Sequence, residues 1–531
     1  MARMRNAQDE LAGYLKSRHQ LISRLQAWRA GPDRILALLQ QAAGTRHEEA
    51  LRLGDPHVTE DSAVWTRIFA RLVNWNARFP YGDGDCTEKD AREAVNLARE
   101  FDAVERLETA LAIDGFSVTK TSGIFRLTIT QNPAIEAADL MLEMLTSPQE
   151  YPDTRGSEVN VWLHRLANGT PTTRIPTNVL RSAARWGRGA IEAYRAALPE
   201  GGLPDAFALS GRLNVGNAVQ YWAVLVGLCH LLDRIAAITP NTWPTLMTMH
   251  KDAVAARLVD AVGDGADLSV AQEVIDLATF APGASPLASP LIPCGDRLIV
   301  CPALVNPIGI ERLLLRAVAS DPSRSGKLGQ DLGRRAGEWG QFLRGIPGVL
   351  VATDTKVKKP GGGRAGDLDV VVVDPSARVG LCLEVKWPID AQSLGESMKV
   401  VEVIEKGARQ LDRLRSFLAT GEAVYDFPPG WPRLEDIEWT WGVGTPQQLY
   451  AAKLPVPDIH VTSLRYITQL PKPATLSQLI SAITRPSWPQ KDLHFEIRPM
   501  RTQIGRIWIE QETIACGRLL RWSPRYPEGS F

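Results

Sequence analysis

The stretch GDLDVVVVDPSARVGLCLEVKW, Gly366 to Trp387, decides how the second half of the chain is read. Two apolar runs, VVVV and LCLEV, flank Asp374-Pro375-Ser376, a triplet with strong turn chemistry. The runs are expected to fold back on each other as antiparallel strands over 368–373 and 381–387. Residues two apart in a strand share a face, so Glu384 and Lys386 point one way and Leu383 and Val385 the other. Strands otherwise this apolar are expected to be central and covered on both faces. Charge placed there is costly unless it is paired or holds a metal.

Asp369, near the start of the first strand, is expected to meet Glu384 across the ladder. Two carboxylates that close repel, and a divalent cation between them relieves the repulsion. Oxygen donors favour Mg2+, with Mn2+ as a substitute, over Zn2+. Lys386 would then hold a water beside the cation or help deprotonate it. The plainer alternative is a structural ion-pair cluster of Asp369, Glu384 and Lys386. Asp367 has the parity of Asp369 and is an alternative ligand; Asp374 has the opposite parity and reads as a turn residue.

Working outward, helical spacing over 328–344 precedes a strand at 349–352. A helix over 398–418 follows the quoted stretch. Further strands are expected at 437–443 and 459–463, and a helix at 475–484. Between the first two strands, TKVKKPGGGRAGD sets Lys356, Lys358, Lys359 and Arg364 around three glycines. No GxxxxGK[ST] occurs, so the chain has no nucleotide-binding loop of that kind. The basic loop is read as a contact for a phosphate backbone; the alternative is a solvated hairpin loop.

Asp369 followed by Glu384-Val385-Lys386 resembles the core of the PD-(D/E)XK, or restriction-endonuclease-like, nuclease superfamily, although the proline of the family name is absent. Gly366-Asp367-Leu368 suits the family's pattern before its metal-binding Asp. The resemblance extends over about 326–463. It implies that the upstream helix supplies Glu338, from GEWGQFL, and the downstream helix Gln410, from GARQLDRL. It further implies an Mg2+-dependent endonuclease acting on DNA, with Asp369, Glu384 and the Val385 carbonyl as metal ligands, Glu338 completing a second metal site, and Lys386 positioning or activating water. Glu338 has a bland alternative in an ion pair with Arg334 one turn earlier, and Gln410 in a hydrogen bond to core backbone.

The region before this is largely helical. Apolar spacing predicts two helices between Asn6 and Ala43, broken at Gly31-Pro32, and further helices over 87–112, 133–145, 176–198, 215–238, 243–262 and 270–280. A hairpin is expected at 116–130, where Ser-Gly separates two β-rich runs. The run YWAVLVGLCHLL, 221–232, is too short to span a bilayer and reads as a core helix. Composition shifts near Pro282, and the tail segments HFEIRPM and IGRIWIEQ alternate like a hairpin. The expected organisation is α+β. A mainly helical sensing or assembly region spans 1–281, with a break near 113–131. A restriction-endonuclease-like domain of mixed sheet and flanking helices spans 282–490, and a C-terminal hairpin extension spans 491–531.

The 531 residues carry 60 basic and 60 acidic side chains, a net charge of zero. No overall field draws the chain to nucleic acid or membrane, so any DNA contact must use a local patch. Six scattered cysteines without a CxxC pair argue against a zinc ribbon or a disulfide framework and fit a reducing cytoplasm. The eight histidines form no HxH or HExxH. The 15 tryptophans, Trp75, Trp162, Trp222 and Trp441 among them, read mostly as core. The helical region followed by a nuclease-like core resembles bacterial restriction or anti-phage defence architecture. By that analogy the helical region senses, oligomerises or binds a partner protein. A non-catalytic nucleic-acid-binding or scaffold protein on the same fold, or a nuclease for RNA or repair intermediates, is the alternative.

Overall fold

The apolar periodicity of the first 112 residues condenses into four helices: α1 Ala2–Arg24, α2 Arg34–Leu53, α3 Thr59–Arg78 and α4 Glu88–Ala112. Thr87 caps α4 reciprocally: its Oγ1 accepts from the Asp90 N–H, and its own N–H donates to the Asp90 carboxylate, both at 3.2 Å. The computed structural model describes residues 2–53, 59–112, 115–130, 132–146, 158–168, 175–197, 203–238, 246–307, 309–319, 337–359, 363–387, 394–420, 424–425, 427–446, 449, 454, 456–486 and 488–516. The molecule is of mixed helix and sheet, as α+β requires.

Next come the hairpin β1 Phe116–Thr121 and β2 Ile124–Ile129, then α5 Pro133–Thr146, α6 Glu158–Ala167, α7 Thr177–Ala197 and α8 Val215–Ile238. By length and composition α8 would suffice to cross a membrane, but Trp222, Leu225 and Leu231 are each fully buried in a core shared with α7 and later elements. α7 and α8 approach backbone to backbone. A Cβ at Gly227 would lie 2.1 Å from the Ala183 carbonyl oxygen, and one at Gly187 would lie 2.2 Å from that of Ala223. The expected helix over 243–262 is shorter: β3 Met247–His250 is a strand, and α9 begins at Lys251 and runs to Val262. α10 Leu268–Ala278, β4 Leu291–Cys294, β5 Arg297–Val300 and α11 Gly309–Ala319 follow.

The composition shift near Pro282 does not coincide with a change of packing. β5 lies between β3 and β4 in a three-stranded antiparallel sheet that straddles it. Ile310, Leu313 and Leu314 of α11 share the α7–α8 core. Ile292, Ile299 and Leu304 join the separate core of α1–α4. Low-complexity Pro, Ser and Gly between 282 and 290 thus mark a turn inside the helical half. Of the helix expected over 328–344, residues 337–344 are described, here α12; 328–336, with Arg334, lie outside the described residues.

β6 Leu350–Lys358, β7 Arg364–Asp374 and β8 Val379–Val385 then form an antiparallel meander. α13 Leu394–Thr420 and the short β9 Val424–Tyr425 lead to β10 Glu438–Thr445, β11 Ile459–Ser463, α14 Leu464–Gln469 and α15 Leu476–Thr484. The sheet order is β11-β10-β8-β7-β6-β9, with β8, β10 and β11 parallel. One face carries Val370, Val372, Leu381 and Leu383 against Trp339 of α12 and against α14 and α15. The other carries Val371, Val373 and Cys382 against Ile404, Ala408 and Leu411 of α13. The near-continuous apolar runs of β7 and β8 follow from this double cover.

The C-terminal strands β12 Glu496–Ile504 and β13 Ile507–Ala515 are not a separate extension. β13 pairs in parallel with β2, completing a four-stranded sheet, β1-β2-β13-β12, with the N-terminal hairpin. The Tyr14 hydroxyl donates to the Ile504 carbonyl and accepts from the Arg506 N–H, both at 3.1 Å, fixing the hairpin turn to α1. α5 joins this assembly to the six-stranded sheet: Ala138, Met141 and Leu142 lie in the core of α12 and α15, and the Asp139 carboxylate accepts from the Leu449 N–H at 2.5 Å.

Arg34, 1% exposed, pins the break between α1 and α2. Its guanidinium donates to the carbonyls of Trp28, Ala30, Asn76, Phe79 and Pro80 and to the Asn76 side chain. Arg34→Met would strand these acceptors away from water and is expected to destabilise the chain by roughly 3–5 kcal/mol, read from the urea midpoint. A fragment beginning at Pro282 is expected to aggregate, because β4, β5 and α11 would lose β3 and α8; light scattering of the purified fragment checks this.

Candidate functional site

The β7–β8 ladder runs from Asp374↔Val379 to Val370↔Leu383, so the next opposed positions are Asp369 and Glu384. Asp369 Oδ2 accepts from the Val385 N–H at 2.7 Å. Lys386 Nζ donates to Glu384 Oε1 at 2.5 Å, and Gln410 Nε2 on α13 donates to Glu384 Oε2 at 3.0 Å. The four side chains expected to meet, Asp369, Glu384, Lys386 and Gln410, are therefore linked directly or through one main-chain group. Val385 enters through its N–H. The Lys386 N–H continues the sheet, donating to the Gly444 carbonyl at 2.8 Å.

Glu384 is 2% exposed. Burial, then the nearby Asp369 charge, push its carboxyl up to about 7, against the lowering influence of the Lys386 charge and hydrogen bond. Burial also raises Asp369, partly offset by the Val385 N–H and by Lys386. The two acids thus disfavour each other's ionised form, and Lys386 supplies the compensating charge. The donor set fits a hard divalent cation at Asp369 and Glu384, because such a cation would relieve that repulsion.

Glu338 precedes Trp339, which is fully buried on the sheet face opposite α13. Among the described residues no three His, Cys, Asp or Glu side chains are grouped to hold a metal. Asp374 is a turn residue: its Oδ1 accepts from the N–H groups of Ser376 and Ala377, both at 3.0 Å. On α13, Val403 is 37% exposed, whereas Gly407 and Leu414, which flank Gln410 one turn to either side, are buried.

Asp367, the alternative ligand, is paired with cations in this structure. It ion-pairs with Arg364, and with Lys356 at 3.4 Å across the β6–β7 ladder. Burial alone would raise its carboxyl, but the Arg364 hydrogen bond and the two cations outweigh that and lower it. The same contacts correct the basic loop. Lys356 and Lys358 belong to β6 and Arg364 to β7. Lys356 and Arg364 are engaged by Asp367, and Lys358 and Lys359 stand exposed at the end of β6. Residues 360–362 lie outside the described residues.

Two contributors were not singled out in the sequence. Asp354 sits in β6 opposite Asp369, in the left-handed region at φ 54°, and its charge adds to the rise at Asp369. At this point the strand alternation breaks: Leu368 packs with Val371 and Val373 under α13, where strict alternation would place it with Val370 and Val372. No sequence periodicity announces such an irregularity, but an acid directly across from a half-buried acid is a signal once the register is known. Gly407 of α13 is the second. A Cβ there would lie 3.2 Å from Lys386 Cε and 3.3 Å from its Cγ, so the glycine makes room for the lysine stem.

No family model, curated protein or solved structure matches the chain.

The raised Glu384 carboxyl fixes the sign of a pH effect. The folded chain holds this proton more tightly than the unfolded chain, whose ordinary value is 4.5. Metal-free stability is therefore expected to fall as pH rises from about 4.5 through about 7 and then level off, by on the order of 1–3 kcal/mol. Glu384→Gln should remove that component; urea melts in a chelating buffer at pH 5 and pH 8 check it.

Proposed function

We propose that the chain is a metal-dependent nuclease of the PD-(D/E)XK kind that hydrolyses DNA phosphodiester bonds. The observation that carries this reading is the apposition of Asp369 and Glu384 on adjacent central strands, with Lys386 and Gln410 both directed at Glu384. Mg2+, held by Asp369 and Glu384, would supply positive charge against the phosphate. Lys386 contributes a mobile proton donor or water-positioning group, half-buried beside the carboxylates. Gln410 fixes the rotamer of Glu384, and the Val385 N–H that of Asp369. Lys358 and Lys359 offer backbone contacts that carry no base information.

A second reading is favoured by one specific observation: Lys386 and Gln410 already occupy both oxygens of Glu384, as in a closed structural cluster. That reading makes the protein a nucleic-acid-binding scaffold without cleavage.

Cleavage of plasmid, linear duplex and single-stranded DNA, with Mg2+ and with chelator, separates the two. Asp369→Ala and Glu384→Ala are each expected to lower Mg2+-dependent cleavage by at least about a hundredfold with circular dichroism unchanged. Lys386→Ala should abolish cleavage yet keep the rise in melting temperature on adding Mg2+. Wild-type rates in all three variants, or no cleavage by the native chain, would leave the scaffold reading.

A further inference from the structure

The short edge strand β9 brings three aromatic rings into a column at one side of the six-stranded sheet. Tyr425 stacks on Phe427 with centroids 5.9 Å apart and planes within 7°, and Phe427 stacks on Trp431 at 4.5 Å and 4°. All three rings are half-buried, and Pro428, Pro429 and Gly430 between them are exposed. Among the described residues no further ring continues the column beyond Trp431.

The column is fixed to both parts of the candidate site. Tyr425 faces Val357 and Val424 faces Lys358 across the β6–β9 ladder. The rings therefore begin beside the basic end of β6, three residues from Asp354, or roughly 10 Å along the strand. The Tyr425 hydroxyl donates to the Leu414 carbonyl of α13 at 3.0 Å. Leu414 lies one helical turn beyond Gln410, which holds Glu384. Rings and carboxylates thus share the α13 side of the sheet.

We propose that Trp431 receives an unpaired nucleobase from a DNA strand whose phosphates run along Lys358 and Lys359 towards the carboxylates. The substrate is then a single-stranded end or gap and not intact duplex. The inference rests on the nuclease reading and adds the form of the substrate. Every base has a π-face, so stacking on a tryptophan is insensitive to sequence and contributes about 1–3 kcal/mol per base. Bases inside a duplex are already stacked and cannot use the site.

The full chain carrying Glu384→Gln, in chelating buffer, is titrated against labelled oligo(dT), oligo(U) and a hairpin duplex, with fluorescence anisotropy as the readout. Oligo(dT) is expected to bind more tightly than duplex. Trp431→Ala should weaken oligo(dT) binding roughly 5- to 100-fold, leave duplex binding within about twofold, and be largely restored by Trp431→Phe. Because Trp431 packs on Phe427, a second measurement leaves the ring intact: a 5-bromouracil-substituted oligonucleotide should photocrosslink to the peptide containing Trp431. Equal losses for single strand and duplex, no loss, tighter duplex binding, or a crosslink only elsewhere would each overturn the inference. Tighter binding of oligo(U) would overturn the assignment to DNA. The nuclease reading fails separately: the stacking site would survive a chain that binds as expected but whose Asp369→Ala and Glu384→Ala variants cleave like wild type.

Discussion

Two carboxylates on neighbouring central strands, Glu384 buried and Asp369 half-buried, set the terms for everything around them. Asp369 and Glu384 stand at opposed positions just beyond the end of the β7–β8 ladder, burial raises the proton affinity of both, and the Asp369 charge raises that of Glu384 further. A sheet assembled for stability alone would place apolar side chains there, as it does at Val370, Val371 and Val372 immediately before. The surroundings are arranged to hold the pair. Val385 turns its N–H to one acid, Gln410 and Lys386 turn to the other, and Gly407 thins α13 where the lysine stem passes. Buried polar clusters of this kind are tolerable only when each member is satisfied.

The strands deform at the same place. Asp354 takes a left-handed backbone conformation across from Asp369, and the alternation of β7 changes sense between Leu368 and Val370. Strand irregularities of this sort re-aim side chains and concentrate at functional sites. Here the break turns Leu368 under α13 and leaves Asp367 to neutralise Lys356 and Arg364. A third acid is thereby kept paired with cations.

Much of this was legible in the residues. The apolar runs, the Asp374-Pro375-Ser376 turn and the parity of Glu384 and Lys386 led to the meander and to the opposed acids, because each depends on neighbours close in sequence; Gln410 was pointed to only by the resemblance. What escaped depends on distant partners. Nothing local in HFEIRPM or IGRIWIEQ says that β13 pairs with β2, and nothing at Pro282 says that β5 pairs with β3 across it. The MTMH segment reads as helix until β5 claims it as a strand. Asp367 has the parity of Asp369 on paper, and only the irregular backbone at Asp354 separates the two.

The parallel pairing of β13 with β2 also bears on how the chain comes to be made. Synthesis runs from the N-terminus, so β1 and β2 emerge almost four hundred residues before the strand that completes their sheet. Until β12 and β13 leave the ribosome, the β2 edge presents unpaired N–H and C=O groups, and Ile504 and Ile509 are missing from the core of the first four helices. Exposed edges of this kind are prone to pairing with other chains. The N-terminal core thus stays open while the intervening residues are made and closes only once β12 and β13 exist. A chain that stops early keeps its acids but leaves its first sheet with a bare edge.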